Sequence, residues 1–141
     1  MSMDYILDSS VIVKWFSRME ETNHEDALKI LQLYRDERIN IFIPDLAIYE
    51  VSNALRYNKN FNQEEVSRLM KALLGLELEI INLSNIIIIE ALGIAYKDNI
   101  TVYDSVFIAL SNLMELTLIT ANPKHQSSKK EGRRILMLAD F

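Results

Sequence analysis

The sequence predicts an α/β protein in which helices flank a central, mainly parallel sheet of about five strands. Short β-rich runs alternate along the chain with longer segments of helical periodicity, and this alternation favours parallel strands with helices on both faces. Half of the 141 residues are apolar and none is cysteine, so a hydrophobic core without disulfides is expected. The length fits a single domain that covers residues 1–141.

Five β-rich runs predict the strands, and segments of helical periodicity lie between them. We place the strands at 4–7, 39–43, 79–83, 117–120 and 135–138. Helices are expected directly after Asp8 and at about 24–38, 45–57, 63–75, 85–98 and 103–114, with Asp45 as an N-cap. Functional crevices in such sheets lie at the carboxyl ends of the strands. This rule directs attention to Asp8, Asp45 and the segment 120–122.

The charge distribution is uneven. A net charge of −5 argues against a protein that coats nucleic acid by general electrostatics. The segment 124–134 is nevertheless strongly basic and contains only one acid, Glu131; its bases are Lys124, Lys129, Lys130, Arg133 and Arg134. This segment either grips an RNA backbone or forms a solvated loop, and both interpretations stay open.

Neither a membrane span nor a signal peptide is expected. The apolar runs, such as Ile86–Ile89, are far shorter than the roughly 20 residues that a bilayer crossing needs. The first residues lack a basic region followed by an apolar one. Together with the absence of cysteine, this favours an intracellular protein.

Glu50 is the most informative acid in the sequence. On a helical wheel it lies among Ala47, Leu46 and Ala54, inside the apolar arc of its predicted helix. A carboxylate partly withdrawn from water needs a cation, a metal or a proton. The alternative is a position at the edge of the apolar stripe, with the side chain reaching water or an arginine.

Asp8 and Asp104 are ambiguous when each is considered alone. Asp8 follows a strand and precedes a helix, which is typical of an N-cap, and Asp104 lies in a first helical turn, where acids are favoured. Combined with Glu50, however, they form a set of carboxylates of the kind that binds Mg²⁺. Such a cation can activate water and offset the charge of a phosphodiester.

Three motifs in register give the chain a family resemblance. They are Ile-Leu-Asp8-Ser9-Ser10-Val, Pro-Asp-Leu-Ala-Ile-Tyr-Glu50-Val-Ser-Asn53-Ala-Leu and Val-Tyr-Asp104-Ser-Val-Phe-Ile-Ala-Leu-Ser. In these motifs the sequence resembles the PIN-domain family, and within it the VapC-type toxins of prokaryotic toxin–antitoxin pairs. The resemblance covers essentially the whole chain.

The resemblance implies a three-layer α/β/α sandwich and a Mg²⁺-dependent endoribonuclease in which Mn²⁺ can substitute. Asp8, Glu50 and Asp104 match the family's metal-binding acids, and the residues that match its supporting polar positions are Ser10, Asn53 and Thr120. An RNA substrate, single-stranded or looped, is also implied. So are a cognate antitoxin, a homodimer and a cytoplasmic location.

The fourth acidic position of the family departs from its usual pattern. The family usually has Thr-x-Asp after the fourth strand, whereas this chain has Thr120-Ala121-Asn122. The amide of Asn122 can offer a metal a neutral oxygen but no charge, so a weaker or single-metal site is expected. Asp98 is an alternative source of the missing charge, although its surroundings suggest an ordinary turn.

The sequence leaves two alternative functions open. The departure at Asn122 motivates a catalytically weakened PIN-like module that binds RNA or protein. A nuclease or phosphatase acting on DNA or small phosphoesters is the second rival. His125 is expected at the surface and not as a general base, because the sequence suggests no partner for it.

Overall fold

Five strands form one parallel sheet in the structure, a computed structural model that describes residues 3–18, 21–127 and 132–141. The strands are β1 (Met3–Leu7), β2 (Ile39–Pro44), β3 (Glu79–Ile81), β4 (Thr117–Thr120) and β5 (Ile135–Met137). Their order is β3-β2-β1-β4-β5, and every neighbouring pair is parallel. The order reverses between β1 and β4, which is where open α/β sheets place their crevice.

Two groups of helices cover the sheet. The helices are α1 (Ser9–Lys14), α2 (His24–Arg35), α3 (Asp45–Arg56), α4 (Gln63–Gly75), α5 (Asn85–Asp98), α6 (Val102–Met114) and α7 (Pro123–Ser127), followed by a 3₁₀ turn at Leu138–Asp140. Contacts join α1 to α2 and α3, α3 to α4, and α5 to α6. Right-handed crossovers place α1–α4 on one face and α5–α6 on the other. This confirms the predicted α/β fold with three layers.

Most of the predicted boundaries agree with the structure to within three residues. The helix at 63–75 and the strand at 117–120 have the predicted bounds. Asp45 is the first helical residue of α3 and not its N-cap, which is Pro44. The short helix α7 was not predicted, because the segment was interpreted as basic and loop-like.

The central strands are buried on both faces. Ile6 and Leu7, which are consecutive in β1 and therefore point to opposite faces, are both completely buried. On one face, α6 contributes Phe107 and Ile108 to the same core. Trp15 is also buried, and its indole N–H donates to the carbonyl of Ala27 at 2.8 Å, which joins α1 to α2. No helix in the described part of the chain is long and apolar enough to span a membrane.

Helix α5 is apolar on its outer side as well as on its inner side. Its inner side contributes Ile87, Ala91 and Ile94 to the core. Its outer side exposes large apolar residues, which we call the α5 face: Ile86 (69% exposed), Ile89 (67%), Leu92 (42%) and Tyr96 (84%). A contiguous apolar surface of this kind on a small protein is typical of an interaction site.

An ion pair fixes the end of α5 to the segment that precedes β5. Both terminal nitrogens of the Arg133 guanidinium donate to the Asp98 carboxylate: Nη2 lies 3.4 Å from Oδ1, and Nη1 is closer to Oδ2. The side chains are only 10% and 3% exposed, respectively. Asp98 is therefore not a turn acid available to the predicted metal site, and the guanidinium of Arg133 is engaged inside the fold.

Removal of the Arg133 guanidinium should destabilise the protein. Breaking a buried ion pair leaves the partner's charge uncompensated and typically costs about 3–5 kcal/mol. We expect Arg133→Met to lower the free energy of unfolding by about this amount in urea titrations followed by circular dichroism. The exposed neighbour Arg134 provides the matched control, and Arg134→Met should change it by less than about 0.5 kcal/mol. Equal effects of the two substitutions would contradict a structural role for Arg133.

Candidate active site

Asp8 lies at the carboxyl end of the central strand and begins the first helix. Its backbone N–H donates to the carbonyl of Ile119 at 3.0 Å, which continues the pairing of β1 with β4. Its Oδ2 accepts from the backbone N–H of Ser10 at 3.2 Å, so Asp8 is the N-cap of α1. The residue is only 5% exposed. Asp8 therefore caps α1, as the sequence predicts for an acid between a strand and a helix. This position places its carboxylate at the crevice.

Hydroxyl groups from two elements hold the Asp8 carboxylate. Oδ2 also accepts from the Ser10 hydroxyl at close range and from Thr120 Oγ1 at 3.3 Å. In turn, Ser10 Oγ accepts from the N–H of Ala121 at 3.0 Å, and Thr120 Oγ1 accepts from the N–H of Asn122 at 3.0 Å. The structure thus brings Ser10 and Thr120 to Asp8, and the loop after β4 is tied to this carboxylate.

Glu50 reaches the same crevice from α3 and is half-buried. Its Oε1 accepts a hydrogen bond from Ser9 Oγ at 2.8 Å. Burial raises the pKa of Glu50, and the negative charges of Asp8 and Asp104 raise it further against the opposing effects of Ser9 and a nearby histidine. The net effect is a pKa above the usual value for a glutamate. The contribution of Asp8 and Asp104 means that both acids lie within electrostatic reach of Glu50.

Asp104 enters from the first turn of α6. Thr101 is the N-cap of this helix, and its hydroxyl oxygen accepts from the N–H of Asp104 at 3.1 Å. The carboxylate of Asp104 is therefore not needed as the cap. It lines a cavity of about 440 Å³ at the edge of the crevice together with Thr101 and Lys124.

His125 is buried against Asp8, so the prediction of a surface position was wrong. The residue is 1% exposed, and its Nε2 lies 3.4 Å from Asp8 Oδ1 without the alignment of a hydrogen bond. Burial lowers the pKa of His125, but the neighbouring acids Asp8, Asp104 and Glu50 outweigh this effect and raise it. Conversely, burial raises the pKa of Asp8, while His125 and Ser10 lower it below its usual value.

Asn122 and Asn53, the two amides of the motifs, have different surroundings in the structure. Asn122 Oδ1 accepts from the backbone N–H of Lys124 at 3.0 Å, and the Asn122 carbonyl accepts from the N–H of His125 at 3.1 Å. Asn122 therefore directly precedes α7, and these two hydrogen bonds help to position His125. Asn53 is exposed, and its side chain makes no hydrogen bond with any residue that the structure describes.

The predicted RNA-binding bases have different surroundings. Lys124 and Arg134 are exposed, whereas Arg133 is paired with Asp98 as described above. Lys129 and Lys130 lie outside the described residues. The exposed Lys124 lines the same cavity as Asp104, so this base lies near one of the three acids.

The donor groups in the crevice fit a hard divalent cation. No group of three or more acidic or histidine side chains within 3–18, 21–127 and 132–141 is arranged so that it could hold a metal ion. The oxygen donors that such an ion prefers are nevertheless present in Asp8, Glu50 and Asp104. Burial raises the pKa of Glu50, the charges of Asp8 and Asp104 raise it further, and a bound cation would oppose both effects.

Comparisons with known proteins show the family and the fold of the chain. The family model described as the PIN domain matches residues 5–130. No curated protein sequence matches the chain. A toxin–antitoxin complex from Klebsiella pneumoniae is similar in structure, with a TM-score of 0.71, 18% identity and coverage of 97% of this chain and 99% of that one.

Two further solved structures are similar over nearly their whole length. VapBC2 from Rickettsia felis, bound to a DNA fragment from its promoter, has a TM-score of 0.69 and 16% identity, with coverage of 96% of this chain and 98% of that one. FitAcB from Neisseria gonorrhoeae has a TM-score of 0.71 and 15% identity, with coverage of 99% and 100%. At these identities the likeness shows a shared fold. The family model spans well over half of the sequence, and the chain therefore belongs to the PIN domain family.

Proposed function

We propose that the chain is a Mg²⁺-dependent endoribonuclease and the toxin of a VapBC-type toxin–antitoxin pair. The observation that carries this proposal is the environment of Glu50, which accepts from Ser9 beside Asp8 and whose pKa is raised by burial and by the charges of Asp8 and Asp104. Membership of a family of nucleases supports hydrolysis of phosphodiester bonds. The similar structures from toxin–antitoxin complexes support the biological setting, which we place in the cytoplasm.

In this proposal Asp8, Glu50 and Asp104 hold the cation. A bound Mg²⁺ or Mn²⁺ supplies positive charge that lowers the pKa of a water molecule and offsets charge on the scissile phosphate. Ser10 and Thr120 orient Asp8 through its Oδ2 and leave Oδ1 turned to the crevice. Asn122 contributes by fixing the loop after β4 and not as a fourth charge.

We assign the substrate as single-stranded or looped RNA. A crevice at the end of a sheet admits an unpaired strand more readily than an A-form helix. Lys124 beside Asp104 offers a positive charge to a phosphate that flanks the cleaved bond. Arg134, Lys129 and Lys130 remain candidates for weaker contacts along the backbone, whereas Arg133 is assigned to the fold.

We also propose that the chain forms a homodimer through the α5 face and binds a cognate antitoxin. Helix α5 also lines an apolar cleft together with residues of α3 and α6, among them the exposed Tyr49 and Tyr103. Each tyrosine can bury on the order of 150–250 Å², and a stable interface needs about 800 Å² from each partner. Two tyrosines therefore supply part of the area that a second copy would cover, and the exposed apolar residues of the α5 face add to it.

Neutralising any of the three acids should abolish cleavage. We expect Asp8→Asn, Glu50→Gln and Asp104→Asn each to lower the rate of RNA cleavage by roughly 100-fold or more, because each removes charge that holds the cation. The measurement uses a labelled single-stranded RNA with Mg²⁺ or Mn²⁺, and EDTA should stop the wild-type reaction. Glu64→Gln, which changes an exposed acid on α4, is the control and should cleave normally.

The same assay separates the proposal from its rivals. Equal cleavage of a DNA oligonucleotide of matched sequence would overturn the assignment of RNA as substrate. RNA binding without cleavage under every metal condition would favour the catalytically weakened module instead.

Metal-free protein should become more stable when Glu50 is neutralised. The folded state binds the proton of the Glu50 carboxyl more tightly than the unfolded chain does, because the pKa of Glu50 is raised on folding. The free energy of unfolding therefore falls as pH rises from about 4.5 to the raised pKa, and it stays low above that value. We expect Glu50→Gln to raise Tm in EDTA at pH 7.5 and to raise it less at pH 5. Added Mg²⁺ should stabilise the wild type more than the variant.

A suitable control for this measurement is Glu21→Gln, since Glu21 is an exposed loop acid. A lower Tm for metal-free Glu50→Gln at pH 7.5 would show that Glu50 is stabilised by its surroundings, against the repulsion described above.

Charges on the α5 face should produce monomers. We expect Ile86→Glu combined with Ile89→Glu to halve the mass of the wild-type dimer in sedimentation velocity, because buried unpaired carboxylates oppose association. Leu74 on α4 is also apolar and 52% exposed, so Leu74→Glu is the control and should leave the dimer intact. A wild-type protein that sediments as a monomer at tens of micromolar would rule the homodimer out.

A further inference from the structure

His125 is the polar group in the crevice that the proposed function leaves unexplained. Its ring is 1% exposed, and its Nε2 has no hydrogen-bond partner among the described residues. Buried polar nitrogens of this kind normally have a partner. The nearest candidate is Asp8 Oδ1 at 3.4 Å, which lies beyond a well-formed hydrogen bond.

The two oxygens of Asp8 have different surroundings. Oδ2 accepts from the N–H and the hydroxyl of Ser10 and from the hydroxyl of Thr120, so its capacity is used. Oδ1 accepts no hydrogen bond from a described residue and lies beside His125 Nε2. Asp8 Oδ1 and His125 Nε2 therefore adjoin each other at one edge of the acidic cluster, and neither makes a hydrogen bond with a described residue.

We propose that His125 Nε2 is a ligand of the divalent cation beside Asp8 Oδ1, in the place that the sequence motif leads one to expect for Asn122. This inference rests on the proposed function and adds a nitrogen donor to its three carboxylates. Adjacent ligands of one cation at about 2.0–2.2 Å lie roughly 3 to 3.5 Å apart, and the observed separation falls in this range.

The fold explains why His125 and not Asn122 supplies this donor. Asn122 Oδ1 is occupied by the N–H of Lys124, and Thr120 accepts the N–H of Asn122. These bonds set the start of α7, and the next turn carries His125 back to the end of β1.

A nitrogen donor changes which cations the site prefers. Mg²⁺ favours oxygen donors, whereas imidazole is a common ligand of transition metals. The site should therefore bind Mn²⁺ and Co²⁺ more tightly than Mg²⁺, and this preference should depend on His125.

Pulsed EPR of Mn²⁺ added to the metal-free protein tests the assignment directly. A coordinated imidazole couples the nitrogen nuclear spin to the metal, so the wild type should show a ¹⁴N modulation. Labelling histidine with ¹⁵N should replace this signal with the ¹⁵N coupling. The label identifies the donor as histidine without relying on any variant.

Two variants identify which histidine is the ligand, since the chain contains only two. His125→Gln should lose the nitrogen coupling and bind Mn²⁺ roughly 10–100-fold more weakly, with a smaller change for Mg²⁺. His24 is also buried, but its Nδ1 contacts the carbonyl of Lys14 at 2.9 Å, so His24→Gln is the matched control and should keep the coupling.

The outcomes separate this inference from the proposed function. Mn²⁺ binding that depends on Asp8, Glu50 and Asp104 but shows no nitrogen coupling in the wild type would overturn the role of His125 and leave the nuclease proposal standing. In that case His125 would be only an ion-pair partner of Asp8. A protein that binds neither Mn²⁺ nor Mg²⁺ would overturn both.

Discussion

The position of the Asp8 carboxylate is the constraint on which the rest of the site depends. Asp8 ends the central strand, caps α1 and accepts from hydroxyls of α1 and β4, so one side chain joins three elements. The parallel sheet brings these elements together because β1 lies between β2 and β4. Glu50 lies in α3 and Asp104 in the first turn of α6. The acidic crevice is thus a consequence of strand order combined with local capping.

The sequence predicts features that have a local or periodic signal. Alternation of strands and helices is sufficient to predict the three-layer fold, and Glu50 is predicted as a site residue because a carboxylate stands within an apolar helical stripe. The burial of His125 has no such signal, since it arises when α7 folds back across the end of β1. The pairing of Arg133 with Asp98 likewise joins positions distant in sequence, so a base interpreted as RNA-binding belongs to the fold instead.

The buried polar groups of the site lower the free energy of unfolding, and the apolar core around the sheet compensates for this loss. Burial and two like charges raise the pKa of Glu50, and His125 is buried with an open nitrogen. The surrounding strands compensate with completely buried aliphatic residues on both faces of the sheet, among them Ile6, Leu7 and Ile41. This pattern is typical of a functional site, where locally unfavourable groups are retained because a ligand relieves them.

The two edge strands, β3 and β5, contain only three residues each. Few backbone N–H and C=O groups are therefore open to a strand from another chain, and Glu79 places an exposed charge on the β3 edge. Strand addition at the sheet edges is the common route to edge-to-edge aggregation, and this fold offers little template for it. Unwanted self-association at high concentration should therefore begin at helical surfaces, and substitutions intended to improve handling of the protein belong on the helices and not on the sheet.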